Sequence, residues 1–151
     1  MQGVGVYSEG YKTEPLKVNK LALGILICYE GIFPSLASKR VENGANILVD
    51  ISNDGWFEKS PAAKQHLYLT VLRAIEENRY ILRGTNTGIS ASIDNKGHII
   101  TRGEQFKTGS IIANAYLFDE KSIFHNIADY IPITLCLLLF ILFKTANKKR
   151  I

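Results

Sequence analysis

Cysteine is scarce in this chain, which has only two, Cys28 and Cys136, among 151 residues. Neither belongs to a Cys-x-x-Cys pair or lies at a zinc-type spacing from histidine. The sequence therefore contains no zinc-site motif, and we predict neither a metal nor a cofactor. Cys28 ends an apolar stretch of strand length, whereas Cys136 lies inside a longer apolar run. A disulfide between two such different settings is not expected.

The excess of positive charge is also small outside the C-terminus. The formal net charge is +4, and the tail alone carries Lys144, Lys148, Lys149 and Arg150. The rest of the chain is near neutral and has no basic stripe interleaved with aromatics, so we predict no nucleic-acid partner. The N-terminus, MQGVGVYSEGYK, has no basic start followed by an apolar stretch and is not a signal peptide. The length suits one domain, and the near-average composition excludes extended disorder.

Strand-length apolar runs and helical periodicity alternate after a polar, Gly-rich segment at residues 1–20. The uncharged run 21–28 is typical of a strand buried on both faces. Residues 30–43 show helical spacing and end at Asn-Gly, and 46–51 (NILVDI) form a second apolar run. A strand, a helix and a strand in this order predict a right-handed, parallel βαβ unit.

A second helix follows the loop SNDGWFEKS. Ser60 and Pro61 are typical of a helix start, and the apolar spacing continues to about Asn78. Arg73 and Glu77 lie one turn apart and are expected to pair. The remaining predicted strands are 80–83, 89–93, 98–101 and 110–115. Together these elements predict a layered α/β domain over residues 1–124.

The C-terminal region differs in kind from this domain. The uncharged run 131–143 would span only about 20 Å as a helix, short of the ~30 Å hydrocarbon core of a bilayer. Extending it to residues 127–147 supplies the missing length and predicts one transmembrane helix. The basic tail 148–151 would then be cytoplasmic, with the domain on the outer face. The alternative is a C-terminal helix buried in the core.

Cys28 has two interpretations. At the end of a buried strand, its thiol would lie at the carboxyl edge of the sheet, where open α/β folds place their sites. A helix beginning nearby would favour the thiolate. A lone cysteine on an apolar strand is, however, more often a small core residue. By the residues alone, Glu30 is more typical of a helix cap and Tyr29 of the core or its rim.

Loop aromatics and histidines are the other candidates. Trp56 and Phe57 either anchor their loop or line a pocket for an apolar ligand, and the sequence favours neither. His66 and His98 are candidate general bases, but their positions are more typical of surface or structural histidines.

Several stretches together carry a resemblance to a known family. They are GILICYEGIF, ILVDISNDGWF and QHLYLTVLRAIEENRYILRGTNTGIS, followed by one apolar segment and a basic tail. From about Leu21 to the C-terminus the chain resembles the apolipoprotein N-acyltransferases of the nitrilase superfamily. The motifs ICYE, SNDGWF and RGTNTGIS are specific to the superfamily, and the Trp-Phe pair and the apolar tail point to the acyltransferase branch. The resemblance implies the C-terminal half of a nitrilase-like α/β/β/α sandwich followed by one transmembrane helix.

The resemblance also implies roles for individual residues. Cys28 matches a nucleophile that takes an acyl chain from a phospholipid donor as a thioester. The acyl group then passes to the N-terminal amine of a diacylglyceryl-cysteine lipoprotein. Glu30 would support the nucleophile, and Tyr29, Trp56 and Phe57 would bind substrate. The implied location is the bacterial inner membrane, with the domain on the periplasmic side.

The resemblance further implies a structural pair between Arg73 and Glu76, and a Glu-Lys-Cys triad. The acidic and basic residues before the Cys28 strand lie in no motif that matches the family's Glu or Lys: Glu9, Lys12, Glu14, Lys17 and Lys20. We therefore expect a fragment, from a truncated or split frame or from a two-chain enzyme whose N-terminal half acts in trans. Such a chain is expected to be inactive and poorly stable alone.

Two other functions stay open from the sequence. One is an amidase-type nitrilase that hydrolyses a small C–N bond, which predicts no membrane helix. The other is a membrane-anchored, non-catalytic module that binds a partner, or a decayed remnant.

Overall fold

The computed structural model describes Gly10 and residues 12–148. In this range the chain forms six strands and four α-helices, and two 3₁₀ turns lie at Cys28–Ile32 and Asp54–Phe57. The strands are β1 Leu16–Val18, β2 Leu21–Ile27, β3 Ile47–Ser52, β4 Ile81–Thr85, β5 Ala91–Ile93 and β6 Ile99–Arg102. The helices are α1 Pro34–Glu42, α2 Ala62–Glu77, α3 Ile123–Ile127 and α4 Tyr130–Lys148.

The described strands form one mixed sheet in the order β1-β2-β3-β4-β5-β6. Its centre, β2-β3-β4, is parallel, with Ile25 opposite Val49 and Val49 opposite Leu82. The predicted parallel βαβ unit is therefore confirmed as β2-α1-β3, and its right-handedness stays a prediction. Strand β1 pairs antiparallel with β2, although the sequence analysis assigned no strand to residues 1–20.

The hydrophobic core lies between the sheet and helices α1 and α2. Leu26, Leu48 and Ile81 point from the three parallel strands into this layer, and Val41 and Leu67 meet them from the helices. All five are at most 1% exposed. Burying such a side chain contributes about 1.5–3 kcal/mol, so this layer is the main source of stability in the described domain.

The opposite face of the sheet is apolar but only partly covered. Ile27 and Ile51 are 63% and 55% exposed, and Ile25, Val49 and Leu82 are half-buried. The prediction that the 21–28 strand is buried on both faces is therefore wrong. In the described part of the chain, helices cover only one face of that strand, so its alternate side chains stay accessible.

The first helix begins later than the sequence analysis predicted. Residues Cys28–Ile32 form a 3₁₀ turn, and the α-helix starts at Pro34. A proline is favoured at the first helical position because the N–H that it lacks would have no carbonyl partner within the helix. It also holds the preceding Phe33 in an extended conformation, with ψ 116°. The second helix begins at Ala62, one residue after Pro61, and ends at Glu77 as expected.

The strand predicted at 110–115 is not found. None of the six described strands pairs with this segment, and Ile112 is 92% exposed. Its alternating apolar residues have the pattern of a half-buried strand. An extended segment becomes a strand, however, only when a neighbouring strand completes its backbone hydrogen bonds.

The C-terminal region also differs from the prediction. The segment 127–147 is not one helix, since α3 ends at Ile127 and α4 begins at Tyr130. Across the described residues, no helix is both long enough and apolar enough to cross a membrane, so the predicted transmembrane helix is not supported. The alternative of a buried core helix is not found either, because the large apolar side chains from Ile131 to Phe143 are 43–65% exposed.

Parts of two sequence predictions lie outside the described residues. In the predicted domain 1–124, the residues not described are Tyr11 and residues 1–9, which include Glu9. Of the predicted cytoplasmic tail 148–151, they are residues 149–151.

Candidate active site

Cys28 lies on a sharp turn directly after β2. Its φ is +52°, in the left-handed region that residues with a Cβ rarely adopt, and such a conformation costs about 1–2 kcal/mol. It is also the first residue of the 3₁₀ turn that leads to α1. The turn leaves Cys28 half-buried at the carboxyl end of the parallel strands.

An open cavity of about 660 Å³ adjoins Cys28. Its walls come from the carboxyl ends of β2, β3 and β4, and they include Ile51, Ser52 and Gly84. This is the edge at which parallel α/β sheets place their ligands. The structure therefore places Cys28 at the carboxyl edge of the sheet, where the sequence analysis expected its thiol.

Glu30 bends back toward the strand from which Cys28 emerges. Its carboxylate accepts a hydrogen bond from the Ile27 N–H at 2.9 Å and lies 3.7 Å from the Arg40 guanidinium. Arg40 in turn donates to the Ile25 carbonyl at 3.0 Å. Glu30 therefore caps the turn and holds the end of β2 just before Cys28. The catalytic role implied for it by the resemblance stays a prediction.

The candidate substrate-binding aromatics divide into two groups. Tyr29 stacks on His66 with ring centroids 5.6 Å apart, and Phe57 meets both rings edge-on at 6.2 and 5.9 Å. These three rings line a small cavity of about 90 Å³. Trp56, by contrast, is 86% exposed. The fold thus brings Tyr29 and Phe57 together beside Cys28 and leaves Trp56 at the surface.

A buried charge cluster, formed by Asp50, Asp54, His66 and Arg83, lies beneath the Cys28 turn. Arg83 forms ion pairs with Asp50 and, at 2.9 Å, with Asp54, and all three side chains are fully buried. His66 Nδ1 lies 3.0 Å from the Asp54 carboxylate. Paired in this way, the charges satisfy one another in a place where an isolated charge would be very costly.

The pKa values of the two carboxyls move in opposite directions. Burial raises the pKa of Asp50, and the charge of Arg83 offsets only part of that effect. Burial also acts to raise the pKa of Asp54, but hydrogen bonds from His66 and Ser52 and the charge of Arg83 outweigh it. They lower the pKa of Asp54 to about 2. Asp54 is therefore a firmly ionised partner for His66.

His66 also reaches the Cys28 turn. Its Nε2 lies 3.2 Å from the Cys28 carbonyl oxygen, and only 3% of the residue is exposed. The sequence analysis placed His66 among surface or structural histidines and did not single out Asp50, Asp54 or Arg83. A signal was present, because charged residues inside the apolar strands NILVDI and YILR must be paired when buried.

The long helix carries a second set of ion pairs. Arg73 pairs with Glu76 at 2.7 Å and donates to the Ile32 carbonyl at 2.5 Å, so it ties α2 to the turn after Cys28. The Arg73–Glu76 pair implied by the resemblance is therefore present. The spacing-based pair with Glu77 is wrong, since Glu77 instead meets His125 of α3 at 2.5 Å.

No metal-binding group of three or more His, Cys, Asp or Glu side chains lies within the described residues. In the buried charge cluster, the Arg83 guanidinium already occupies the position between the two carboxylates.

Comparison with known proteins identifies one matching family and several relatives. The family model of carbon-nitrogen hydrolases matches residues 3–118. The apolipoprotein N-acyltransferase of Geobacter metallireducens is 38% identical over 127 residues, which cover 84% of this chain and 24% of that protein. The apolipoprotein N-acyltransferase of Borreliella burgdorferi is 38% identical over 122 residues, covering 80% and 23%. The chain thus spans about a quarter of the length of these relatives.

Solved structures share the fold at low sequence identity. A carbon-nitrogen hydrolase from Helicobacter pylori aligns with a TM-score of 0.61 and 15% identity, covering 68% of this chain and 43% of that one. An amidase from Nesterenkonia sp., whose structure shows Michael addition of acrylamide at its active-site cysteine, aligns with a TM-score of 0.55 and 16% identity. That alignment covers 68% of this chain and 42% of the amidase. These likenesses establish the nitrilase-like α/β fold.

Proposed function

This chain belongs to the carbon-nitrogen hydrolase family, and from this premise we propose that it supplies the nucleophile-bearing part of an apolipoprotein N-acyltransferase. The observation that carries the proposal is Cys28. It occupies a left-handed turn at the carboxyl edge of the sheet, beside an open cavity. The curated relatives named above are apolipoprotein N-acyltransferases, which favours acyl transfer over other chemistry at this thiol.

The proposed reaction has two half-steps on one sulfur atom. In the first, the Cys28 thiolate attacks the ester carbonyl of a phospholipid, and the lysophospholipid leaves with the proton that the thiol gave up. In the second, the N-terminal amine of a diacylglyceryl-cysteine lipoprotein attacks the thioester. An amide forms, and the thiolate leaves and recovers a proton from the amine. This is a ping-pong scheme with a covalent intermediate.

Exposed apolar side chains near the site support a lipid substrate. Tyr29, the residue after Cys28, is 53% exposed, and Ile27 and Ile51 line the cavity beside Cys28. Trp56, in the loop after β3, is 86% exposed. Exposed apolar surface of this kind marks interaction sites for apolar partners. We propose that this surface meets the phospholipid donor at the bacterial inner membrane. The orientation inferred from the basic tail stays a prediction.

Activation of the thiol is proposed to need groups beyond those described. Among the described residues, Glu30 is held by the Ile27 amide and His66 by the Cys28 carbonyl. Neither is hydrogen-bonded to the thiol. The thiolate is the reacting form of a cysteine, and a neighbouring base or cation favours it. We therefore propose that a Glu and a Lys from the first half of a nitrilase-like domain complete the site, in trans if necessary.

The test is acyl transfer from phospholipid with a labelled acyl chain to a synthetic diacylglyceryl-cysteine peptide. The chain is assayed alone and together with the part of the Geobacter metallireducens enzyme that precedes the matched region. We expect labelled peptide only from the mixture, and none when Cys28→Ser replaces the wild-type chain.

Three outcomes would count against the proposal. Transfer by the chain alone would remove the need for a second part. Unchanged transfer with Cys28→Ser would remove the nucleophile. Release of ammonia from a small amide substrate, without acyl transfer to the peptide, would indicate an amidase-type hydrolase instead.

A further inference from the structure

His66 is the one member of the buried charge cluster with a hydrogen bond to Cys28. We infer that His66 is a positioning residue that fixes the Cys28 turn by donating a hydrogen bond from Nε2 to the Cys28 carbonyl. The inference deepens the proposed function and rests on it, since it concerns how the proposed nucleophile is held. The imidazole has no role in removing the thiol proton, because both of its nitrogens are already engaged.

The surroundings of the ring assign the proton on Nε2. A carbonyl oxygen only accepts, so the 3.2 Å contact to Cys28 requires an N–H at Nε2. At the other nitrogen, Nδ1 lies 3.0 Å from the Asp54 carboxylate and 3.1 Å from the Arg83 guanidinium. A charged ring donates to Asp54 there, and a neutral ring accepts from Arg83. The bond to Cys28 is therefore made by the charged ring and by the neutral ring whose proton is on Nε2.

The ring itself is held on every side. Asp54 and Arg83 anchor Nδ1, and Asp54 is fixed in turn by the Ser52 hydroxyl at 2.6 Å. One face of the imidazole stacks on Tyr29, the residue that follows Cys28. His66 therefore links a rigid buried charge cluster to the peptide group that joins Cys28 and Tyr29.

The turn needs such a link because its backbone is strained. A non-glycine residue at φ +52° persists only where its surroundings over-determine that conformation. The hydrogen bond from His66 acts on the carbonyl side of Cys28, and the Glu30 carboxylate acts on the Ile27 amide just before it. Removing the His66 donor leaves only one of these two hydrogen bonds and lets the thiol move away from the cavity.

Two variants separate positioning from stability. His66→Gln keeps an amide donor near the place of Nε2, whereas His66→Asn keeps a polar group near Nδ1 but cannot reach the Cys28 carbonyl. Both remove the imidazole and any charge on it. They are compared in the full chain with Cys136→Ser, so that iodoacetamide reports on Cys28 alone, and His98→Asn serves as a histidine control because His98 is 71% exposed.

The rate of Cys28 alkylation is measured from pH 6 to 10, with the urea midpoint of each variant. At the high-pH plateau we expect His66→Asn to be about fivefold slower than wild type, the factor for one hydrogen bond. His66→Gln should keep most of the rate, and His98→Asn all of it. Equal plateau rates for His66→Gln and His66→Asn, or rates that simply follow the urea midpoints, would overturn the inference. Because alkylation needs no acyl donor, this result is independent of whether the chain proves to be an acyltransferase.

A measurement on the Cys136→Ser chain covers the case in which neither His66 variant folds. Long-range ¹H–¹⁵N spectra should show Nε2 of His66 carrying a proton throughout pH 6–8. A ring protonated on Nδ1 alone would contradict the inference.

Discussion

Replacing Arg83 with methionine tests whether the buried charge cluster holds the site together. Arg83 is the cation for two buried carboxylates, Asp50 and Asp54, and all three side chains are fully buried. Removing one partner of such a group leaves uncompensated buried charge, which typically costs about 3–5 kcal/mol. This is a large share of the 5–15 kcal/mol by which domains are usually stable. The exposed Arg102→Met is the matched control and should change stability by less than about 0.5 kcal/mol.

The assay is urea unfolding of the full chain at pH 7 and at pH 4. The pKa of Asp54 in the fold, about 2, lies below its ordinary 3.8. Its stabilising contribution is therefore complete above pH 3.8 and lost as the pH falls toward 2. In the Arg83→Met chain the unpaired carboxylates can instead take up protons, so the cost of the substitution should shrink between pH 7 and pH 4. Adding Asp50→Asn and Asp54→Asn should recover much of the loss.

A cost at pH 7 no larger than that of Arg102→Met would refute this reasoning. So would a cost that grows on acidification, because the buried carboxylates would then not be the source of the instability.

Two further predictions follow from contacts around the cluster and the aromatic rings. Gly88→Ala would place a Cβ about 2.6 Å from the Asp54 carboxyl carbon, so thermal unfolding should show a loss of about 1–3 kcal/mol. Gly109→Ala, where a Cβ meets nothing within 4 Å, should be neutral, and equal losses would contradict the cluster geometry. Trp56→Ala should leave stability within about 0.5 kcal/mol because the side chain is exposed, yet it should weaken acyl-donor use. Phe57→Ala should cost about 1 kcal/mol or more through its ring contacts, and the reverse order of stability would contradict the described packing.

Local patterns were sufficient to predict the centre of the fold. The uncharged run ending at Cys28, the Asn-Gly helix end and the NILVDI run defined β2, α1 and β3, because a parallel strand and its crossover helix are each specified by neighbouring residues. The position of Cys28 at the sheet edge followed from the same pattern. The start of α1 was placed too early, although Pro34 was visible as a first-turn residue.

The parts that local patterns missed depend on distant residues. The Arg83 guanidinium meets Asp50 and Asp54 from 33 and 29 residues away, and no local spacing relates the three. The same holds for His66, which meets the Cys28 carbonyl across 38 residues. The strand predicted at 110–115 failed for a related reason, since alternation specifies a face but does not supply a neighbouring strand.

The central claim is that Cys28 is the acyl-accepting nucleophile, and mass spectrometry of the Cys28 peptide tests it most directly. The chain, mixed with the upstream part of the Geobacter metallireducens enzyme, is incubated with a phospholipid of defined acyl chains and no amine acceptor. We predict one added acyl mass on Cys28, released by neutral hydroxylamine as a thioester is, with Cys136 unmodified. An unmodified Cys28 in a mixture that still transfers acyl groups once the acceptor is added would contradict the claim.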